Sequence, residues 1–223
     1  MSAITTKKRK CHTITMAAEF HMRDCKFLPV TKTSKCKIMP MVLKRDDQAV
    51  LVQLSGGGVI PRSFGVSDTE VDGKRKVQMT VQVDSTSDHT HLERVRSDLV
   101  EQAKGLWTTW HPDAAIPSQL DLMKDCSAIV SERKKKKTGE GLWSGVTRAG
   151  IDPSELESGK CKIVDSETRE SIPLESLPGM TWNKVIFEFA YVFILATKKY
   201  GITKKLRYIE CSPEDDFADI EPL

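Results

Sequence analysis

The chain has 223 residues, of which 39% are hydrophobic, 29% charged and 6% aromatic, and its formal net charge is +3. This composition is that of an ordinary folded protein and excludes wholesale disorder, and no apolar run reaches the roughly 18 residues that a membrane span needs. The basic N-terminus is not followed by an apolar stretch, so the sequence predicts no secretory signal, an intracellular protein and unpaired cysteines.

Charge is distributed unevenly along the chain. Six acidic and no basic residues lie between position 210 and the end, and removing those six from the 31 acids leaves 25 against 34 basic residues, a net of +9, before position 210. A positive body favours polyanionic ligands, and an acidic end is typical of an interaction tail. We expect a basic, partly flexible arm over 1–36, a nucleic-acid-binding domain over 37–211 and an acidic tail over 212–223.

Three strands are predicted in the first part of this domain. Residues 37–43 and 49–54 flank a polar turn, as the two strands of a hairpin do. Pro40 favours an edge or a bulge in the first of them. Residues 77–83 alternate apolar and polar side chains, which is typical of a strand with one solvated face.

One helix is predicted over residues 91–106. Thr90 and Glu93 have the spacing of a capping box. His111-Pro112 marks the exit from the helix. An apolar stripe with helical spacing is formed by Leu92, Val95, Leu99, Ala103 and Leu106.

The second half combines loops and strands. Four glycines between residues 131 and 159 indicate loops, whereas residues 160–164, 182–196 and 204–209 have strand patterns. Phe187, Phe189 and Phe193 lie in a strongly apolar run, which favours core packing. Several strands around one helix predict a mainly β (α+β) fold with a small closed or partly open barrel. An elaborated five-stranded oligonucleotide-binding (OB) barrel is one fold with that order of elements.

Segments that resemble catalytic or nucleotide-binding motifs lack the residue spacing that those motifs require. The serine in residues 141–145 is one position away from a nucleophile elbow, and residues 56–61 and 159–160 lack glycines of nucleotide-binding loops. We therefore expect a non-catalytic protein without a cofactor. Zinc-type ligands are present near the N-terminus, but their spacing favours incidental thiols and imidazoles over a structural zinc site. These residues are Cys11, His12, His21, Cys25 and Cys36.

Two basic runs are candidate phosphate contacts. The run at residues 7–10 fits a nuclear-import address, a phosphate-binding arm or a solvated terminus, and the first of these makes the nucleus an expected location. The run at 133–137 can contact several phosphates, and aromatic side chains beside cations can stack on bases. The expected nucleic-acid-binding residues are Arg62, Phe64, Arg133, Lys134, Lys135, Lys136, Lys137, Trp143, Arg148, Lys204, Lys205, Arg207 and Tyr208.

A series of short motifs occurs in a characteristic order between residues 37 and 217. The strands at 38–43 and 50–54 are followed by a proline, residues 64–67, the alternating strand and the helix; residues 185–189 and 199–202 then precede the last strand. An acidic tail with a phenylalanine completes the order. It resembles the single-stranded DNA-binding proteins of short-tailed phages and their relatives in nucleocytoplasmic large DNA viruses.

The resemblance implies an OB barrel that coats exposed strands during replication, recombination or repair. It also implies a tail that recruits polymerase or helicase and competes with DNA for the groove; the tail residues are Asp215, Asp216, Phe217 and Asp219. A homodimer is compatible with the sequence. Two alternatives stay open: a virion structural or packaging protein that uses the basic surface without strand preference, and a zinc-dependent module.

Overall fold

The computed structural model describes residues 13–55, 63–71, 74–83, 86–134, 142–177 and 180–212. They form a mainly β structure with a few helices, which confirms the predicted fold class. The strands are β1 (Ile14–Met16), β2 (Cys25–Phe27), β3 (Thr31–Lys32), β4 (Lys37–Leu43), β5 (Val50–Leu54), β6 (Ser63–Val71), β7 (Lys74–Gln82), β8 (Ser131–Lys134), β9 (Leu142–Ile151), β10 (Lys162–Asp165), β11 (Thr181–Ile194) and β12 (Tyr200–Ser212). The helices are α1 (Thr86–Trp110), α2 (Gln119–Asp125) and α3 (Pro153–Glu157), with short 3-10 turns at Met22–Asp24 and Leu174–Ser176. In this part of the chain no helix has the length and apolar character to cross a bilayer.

The main sheet is mixed and follows the order β1-β5-β11-β12-β9-β7-β6. Within it, β5, β11, β12, β9 and β7 form a continuous five-strand path, whose single parallel junction joins β12 to β9 at Lys205 and Gly150. A five-strand path with one long helix is consistent with an OB-like fold, and β1, β6, β8 and β10 elaborate it.

The predicted hairpin of β4 and β5 forms only at its turn. Val42 bridges Ala49 there, but β4 pairs with the end of β11 and with β2 and β3, and β5 pairs with the middle of β11. The two strands are therefore placed one after the other along β11. Since β11 has 14 residues, it is long enough to pair with both.

Helix α1 confirms the predicted helix but is longer at both ends. Thr90 lies inside it, so the capping prediction is wrong. The helix starts earlier because Asp88 is buried and accepts hydrogen bonds from the backbone amide and the hydroxyl of Ser55, each at 3.0 Å. At the other end Trp107 and Trp110 are fully buried and extend the apolar stripe. The helix therefore ends at Trp110, four residues after the predicted end and directly before His111-Pro112, the pair that was predicted to mark its exit.

The glycine-rich region 131–159 is not mainly loop, contrary to prediction, because it contains β8, β9 and α3. Gly145 in β9 shows why glycine occurs there. A Cβ on Gly145 would lie 2.1 Å from Cγ1 of Val130, which is too close for any side chain. Glycine in a strand often marks such a close approach, so it does not by itself indicate a loop.

Residues 13–36, the part of the expected arm that the structure describes, pack against the domain. Phe20 and Met22 are buried, and Arg94 of α1 donates hydrogen bonds to the carbonyls of Ala17, Ala18 and Phe20. Segment 13–22 therefore adds to the core beside the helix.

Candidate nucleic-acid interface

A β-bulge in β11 turns two aromatic side chains outward. Val185, Phe187 and Phe189 face the core, but the pairing with β12 shifts between Phe189 and Tyr191. A bulge inserts one residue and reverses the alternation of side chains beyond it. After the shift the side chains of Val192 and Ile194 are buried, and those of Tyr191 and Phe193 are half-buried and face the opposite side.

The bulge corrects one prediction. Phe187 and Phe189 lie in the core as expected, whereas Phe193 lies at the surface groove described below. In the structure the buried positions change from odd to even numbers within β11. The run is apolar on both sides of the change, and this concealed the shift.

Tyr191 and Phe193 line a groove of about 620 Å³ across β7, β9, β12 and the end of β11. We call it the aromatic groove. Its cationic side chains are Arg75 and Lys76 of β7, Arg148 of β9 and Lys205 of β12; its acidic side chain is Asp152. Hydrogen bonds from Ser154 hold the pKa of Asp152 below its usual value, so this carboxylate stays ionised. Asp68 and Glu155, next to the lining, pair with Arg75 and Lys205, so the positive charge of the groove comes mainly from Lys76 and Arg148.

Two glycines lie at or beside the aromatic groove. Gly150 lies on its lining, where Gln78 and Lys205 are the neighbouring residues in the two adjacent strands. Gly201 lies beside Phe193, and a Cβ there would be 2.9 Å from Cζ of the ring and 2.8 Å from Cβ of Ser127. The ring of Phe193 therefore rests against the backbone of β12, which only glycine permits.

The four cationic side chains named above differ in whether they form salt bridges. Arg148 and Lys76 are exposed and form no salt bridge within the described ranges. Arg75 donates two hydrogen bonds to Asp68 across the β6–β7 ladder, at 2.6 and 2.9 Å, and both side chains are exposed. Arg148 and Lys76 are consequently the cations most available to a phosphate.

Lys204 points into the protein. Its Nζ donates hydrogen bonds of 2.7 Å to the carbonyl of Ile129 and to the hydroxyl of Thr147, and burial lowers its pKa to about 7. The side chain is 9% exposed. Lys204 is therefore a lining residue of the aromatic groove whose ammonium is bonded in the interior, and this differs from the phosphate contact expected from the sequence.

Lys205 and Arg207 are held by an ion-pair cluster. Asp152 caps α3 by accepting a hydrogen bond from the amide of Ser154, and α3 then presents Glu155 to both cations. Lys205 lies 3.6 Å and Arg207 lies 2.6 Å from the Glu155 carboxylate, and Arg207 also pairs with Glu188. Lys205 lines the aromatic groove, whereas Arg207 lines a different one.

Tyr208 lies in this second groove, so the structure does not bring it together with Arg148. Its hydroxyl donates to Glu210 at 2.6 Å and accepts from Arg169 at 3.1 Å, and the ammonium of Lys184 lies 5.6 Å from the centre of its ring. Burial, followed by the hydrogen bond to Glu210, raises its pKa. The ring face is therefore already covered by a cation of the same chain.

The remaining expected residues are placed only in part. Arg62, Lys135, Lys136, Lys137 and the tail residues Asp215, Asp216, Phe217 and Asp219 lie outside the described residues. Phe64 belongs to β6, Arg133 and Lys134 to β8 and Trp143 to β9. Arg133 pairs with Trp143 in the β8–β9 ladder, which puts a cation and an aromatic residue opposite each other.

Metal ligands are not grouped in the part of the chain that the structure describes: no three of its His, Cys, Asp or Glu residues could share an ion. Cys11 and His12 lie outside that part. Cys25 is buried, and burial raises the pKa of its thiol to about 12. The five described cysteines are free thiols.

Comparison with known proteins gave three solved structures, all of a single-stranded DNA-binding protein from bacteriophage Enc34. The complex with single-stranded DNA has a TM-score of 0.43 and 14% identity, and the match covers 86% of this chain and 97% of that one. A C-terminal truncation of the phage protein has a TM-score of 0.41 at the same identity, with 89% and 98% covered. No family model matches the chain, and no curated protein does.

Proposed function

We propose that this protein binds single-stranded DNA in the aromatic groove. The observation that carries the proposal is the outward-facing pair Tyr191 and Phe193 in a groove whose rim holds Lys76, Arg148 and Lys205. Accessible aromatic faces beside cations are the two components of a single-strand site.

The spacing of the aromatic pair suits an unstacked strand. Residues two apart in a strand project to the same side about 7 Å apart, whereas stacked bases are about 3.4 Å apart. Tyr191 and Phe193 can each stack on one of two successive bases if those bases are splayed. A duplex hides its base faces, so this groove favours single strands.

The wider role proposed is to coat and protect exposed strands in replication, recombination or repair, without catalysis. The acidic tail would recruit replication proteins, and the site of action would be intracellular, in the nucleus or at a viral replication site. Support comes from the basic body and acidic end of the chain.

Titration of labelled single-stranded and duplex oligonucleotides, at low and moderate salt, tests the proposal. We expect tight, salt-sensitive binding with a clear preference for the single strand, because phosphate contacts release counterions and bases add stacking. Lys104→Gln, an exposed cation of α1 outside the groove, is the control. Equal affinity for both forms would favour the packaging alternative instead.

A further inference from the structure

The second groove, to which Tyr208 belongs, has a volume of about 350 Å³ and lies across β10, β12, β11 and β5. We call it the lysine groove. Its rim carries Lys160, Lys162 and Lys184. Its apolar lining comes from Ile14, Leu51 and Ile186. The shared ion-pair cluster around Glu155 separates it from the aromatic groove.

The lysine groove is not built to stack bases. The ring of Tyr208 has Lys184 over its face, and its hydroxyl is held by Glu210 and Arg169. The other lining side chains are aliphatic, so they offer apolar contact without a π-face. A nucleic acid would therefore find phosphate partners here but no surface for its bases.

The charge of the lysine groove is only partly compensated, because Glu210 lies opposite Lys184 in the β11–β12 ladder and is the acid next to that lysine. Lys160 and Lys162 are exposed, Lys184 is half-buried, and none of the three forms a salt bridge with an acid in the described ranges. Ile14 is 45% exposed, which is unusual for an isoleucine on a sheet. A cationic rim around an aliphatic lining is complementary to an acidic peptide that carries large apolar side chains.

We propose that the lysine groove binds the acidic C-terminal segment of this chain, residues 213–223. The segment contains five acids together with Phe217, Ile220 and Leu223, and it directly follows β12. Tyr208 lies four residues before the end of β12, a distance of about 13 Å along a strand. Eleven extended residues reach about 36 Å, so the segment can return to the groove at high effective concentration.

This location separates the tail from the DNA. The resemblance to phage proteins implies a tail that competes for the DNA groove, whereas the lysine groove has its own lining on the far side of the Glu155 cluster. The proposal does not depend on DNA binding, since it rests on charge and shape around Lys162, Lys184 and Ile186.

Photo-crosslinking of the full chain, with p-benzoylphenylalanine substituted for Phe217, tests the proposal without DNA at low salt. We expect cross-links to Ile14, Lys162, Ile186 or their neighbours, within one chain or between two. Lys162→Gln combined with Lys184→Gln should lower the yield about threefold to tenfold, as expected for the loss of two exposed ion pairs. Both side chains are at least partly exposed, so the variant should fold normally.

The matched control removes two cations from the aromatic groove, Lys76→Gln with Arg148→Gln, and should leave the cross-link yield unchanged. Cross-links to Tyr191, Phe193 or Arg148 would overturn the proposal and favour direct competition with DNA. A full chain that gives no cross-links to protein at low salt would overturn it as well.

Discussion

The aromatic groove and the lysine groove lie on either side of one ion-pair cluster, yet they expose different chemistry. Tyr191 and Phe193 are half-buried and line the first groove, whereas the ammonium of Lys184 lies over the ring of Tyr208 in the second. Both grooves contain a cation next to an aromatic residue. In the proposed function, access to the ring face, and not proximity to a cation, distinguishes the base-stacking groove from the other one.

Removal of the outward-facing rings should have the largest effect. Tyr191→Ala with Phe193→Ala should weaken single-strand binding by about 2 kcal/mol or more, roughly thirtyfold, because stacking contributes about 1 to 3 kcal/mol per base. Anisotropy of a labelled oligonucleotide measures the loss. Tyr208→Ala is the matched control and should change the affinity less than about twofold; an equal loss in both variants would contradict the distinction between the grooves.

Substitution of Lys204, whose ammonium points into the protein, should change stability and not DNA binding. Burial lowers the pKa of Lys204 in the folded protein to about 7, whereas the ordinary pKa of a lysine, which applies in the unfolded chain, is 10.5. Between pH 7 and pH 10.5 the unfolded state binds more protons at this residue than the folded state does. Lys204 therefore lowers the free energy of unfolding near pH 7, and this effect becomes smaller as the pH rises towards 10.5.

Lys204→Met should therefore raise the free energy of unfolding at pH 7 by an amount on the order of a few kcal/mol. Its advantage over the parent protein should shrink as the pH rises towards 10. Urea unfolding at several pH values provides the measurement. A variant with unchanged stability and several-fold weaker DNA binding would place Lys204 in the interface after all.

The packing of Phe193 against Gly201 should be sensitive to the addition of one methyl group. Gly201→Ala should cost about 1 to 3 kcal/mol of stability, because its Cβ would overlap the ring and Ser127. Gly150→Ala is the control, since its Cβ would lie 3.7 Å from the nearest atom, the carbonyl oxygen of Lys204. Equal midpoints of urea unfolding for the two variants would show that Phe193 does not rest on Gly201.

Single charges should have the smallest effect. Arg148→Gln should lower single-strand affinity by under about 1 kcal/mol and reduce the slope of log K against log salt by about 0.7, the value for one phosphate contact on a single strand. Lys184→Gln should leave the slope unchanged. A smaller slope for Lys184→Gln alone would assign DNA to the lysine groove.

The sequence predicted the elements with clear periodicity and missed the features that depend on pairing between distant residues. Local periodicity was enough to predict the strand at 77–83, helix α1 and the burial of Phe187 and Phe189. The bulge in β11 and the tandem pairing of β4 and β5 are set by partner strands, which a local pattern does not contain.

The candidate site was predictable only in outline for the same reason. Arg148, Lys204 and Lys205 belong to the lining of the aromatic groove, but the ammonium of Lys204 points into the protein and Tyr208 lies in the other groove. Alternation and a further shift in β12 decide which side each residue faces. Tyr191 was missed since its orientation depends on the bulge.

Photo-crosslinking with a single-stranded oligonucleotide that contains iododeoxyuridine tests the central claim most directly, because this base cross-links to aromatic side chains in contact with it. The account predicts that the cross-linked peptide carries Tyr191 or Phe193 and that the double alanine variant loses the product. Cross-links at Tyr208, or a product that survives the loss of both rings, would contradict it.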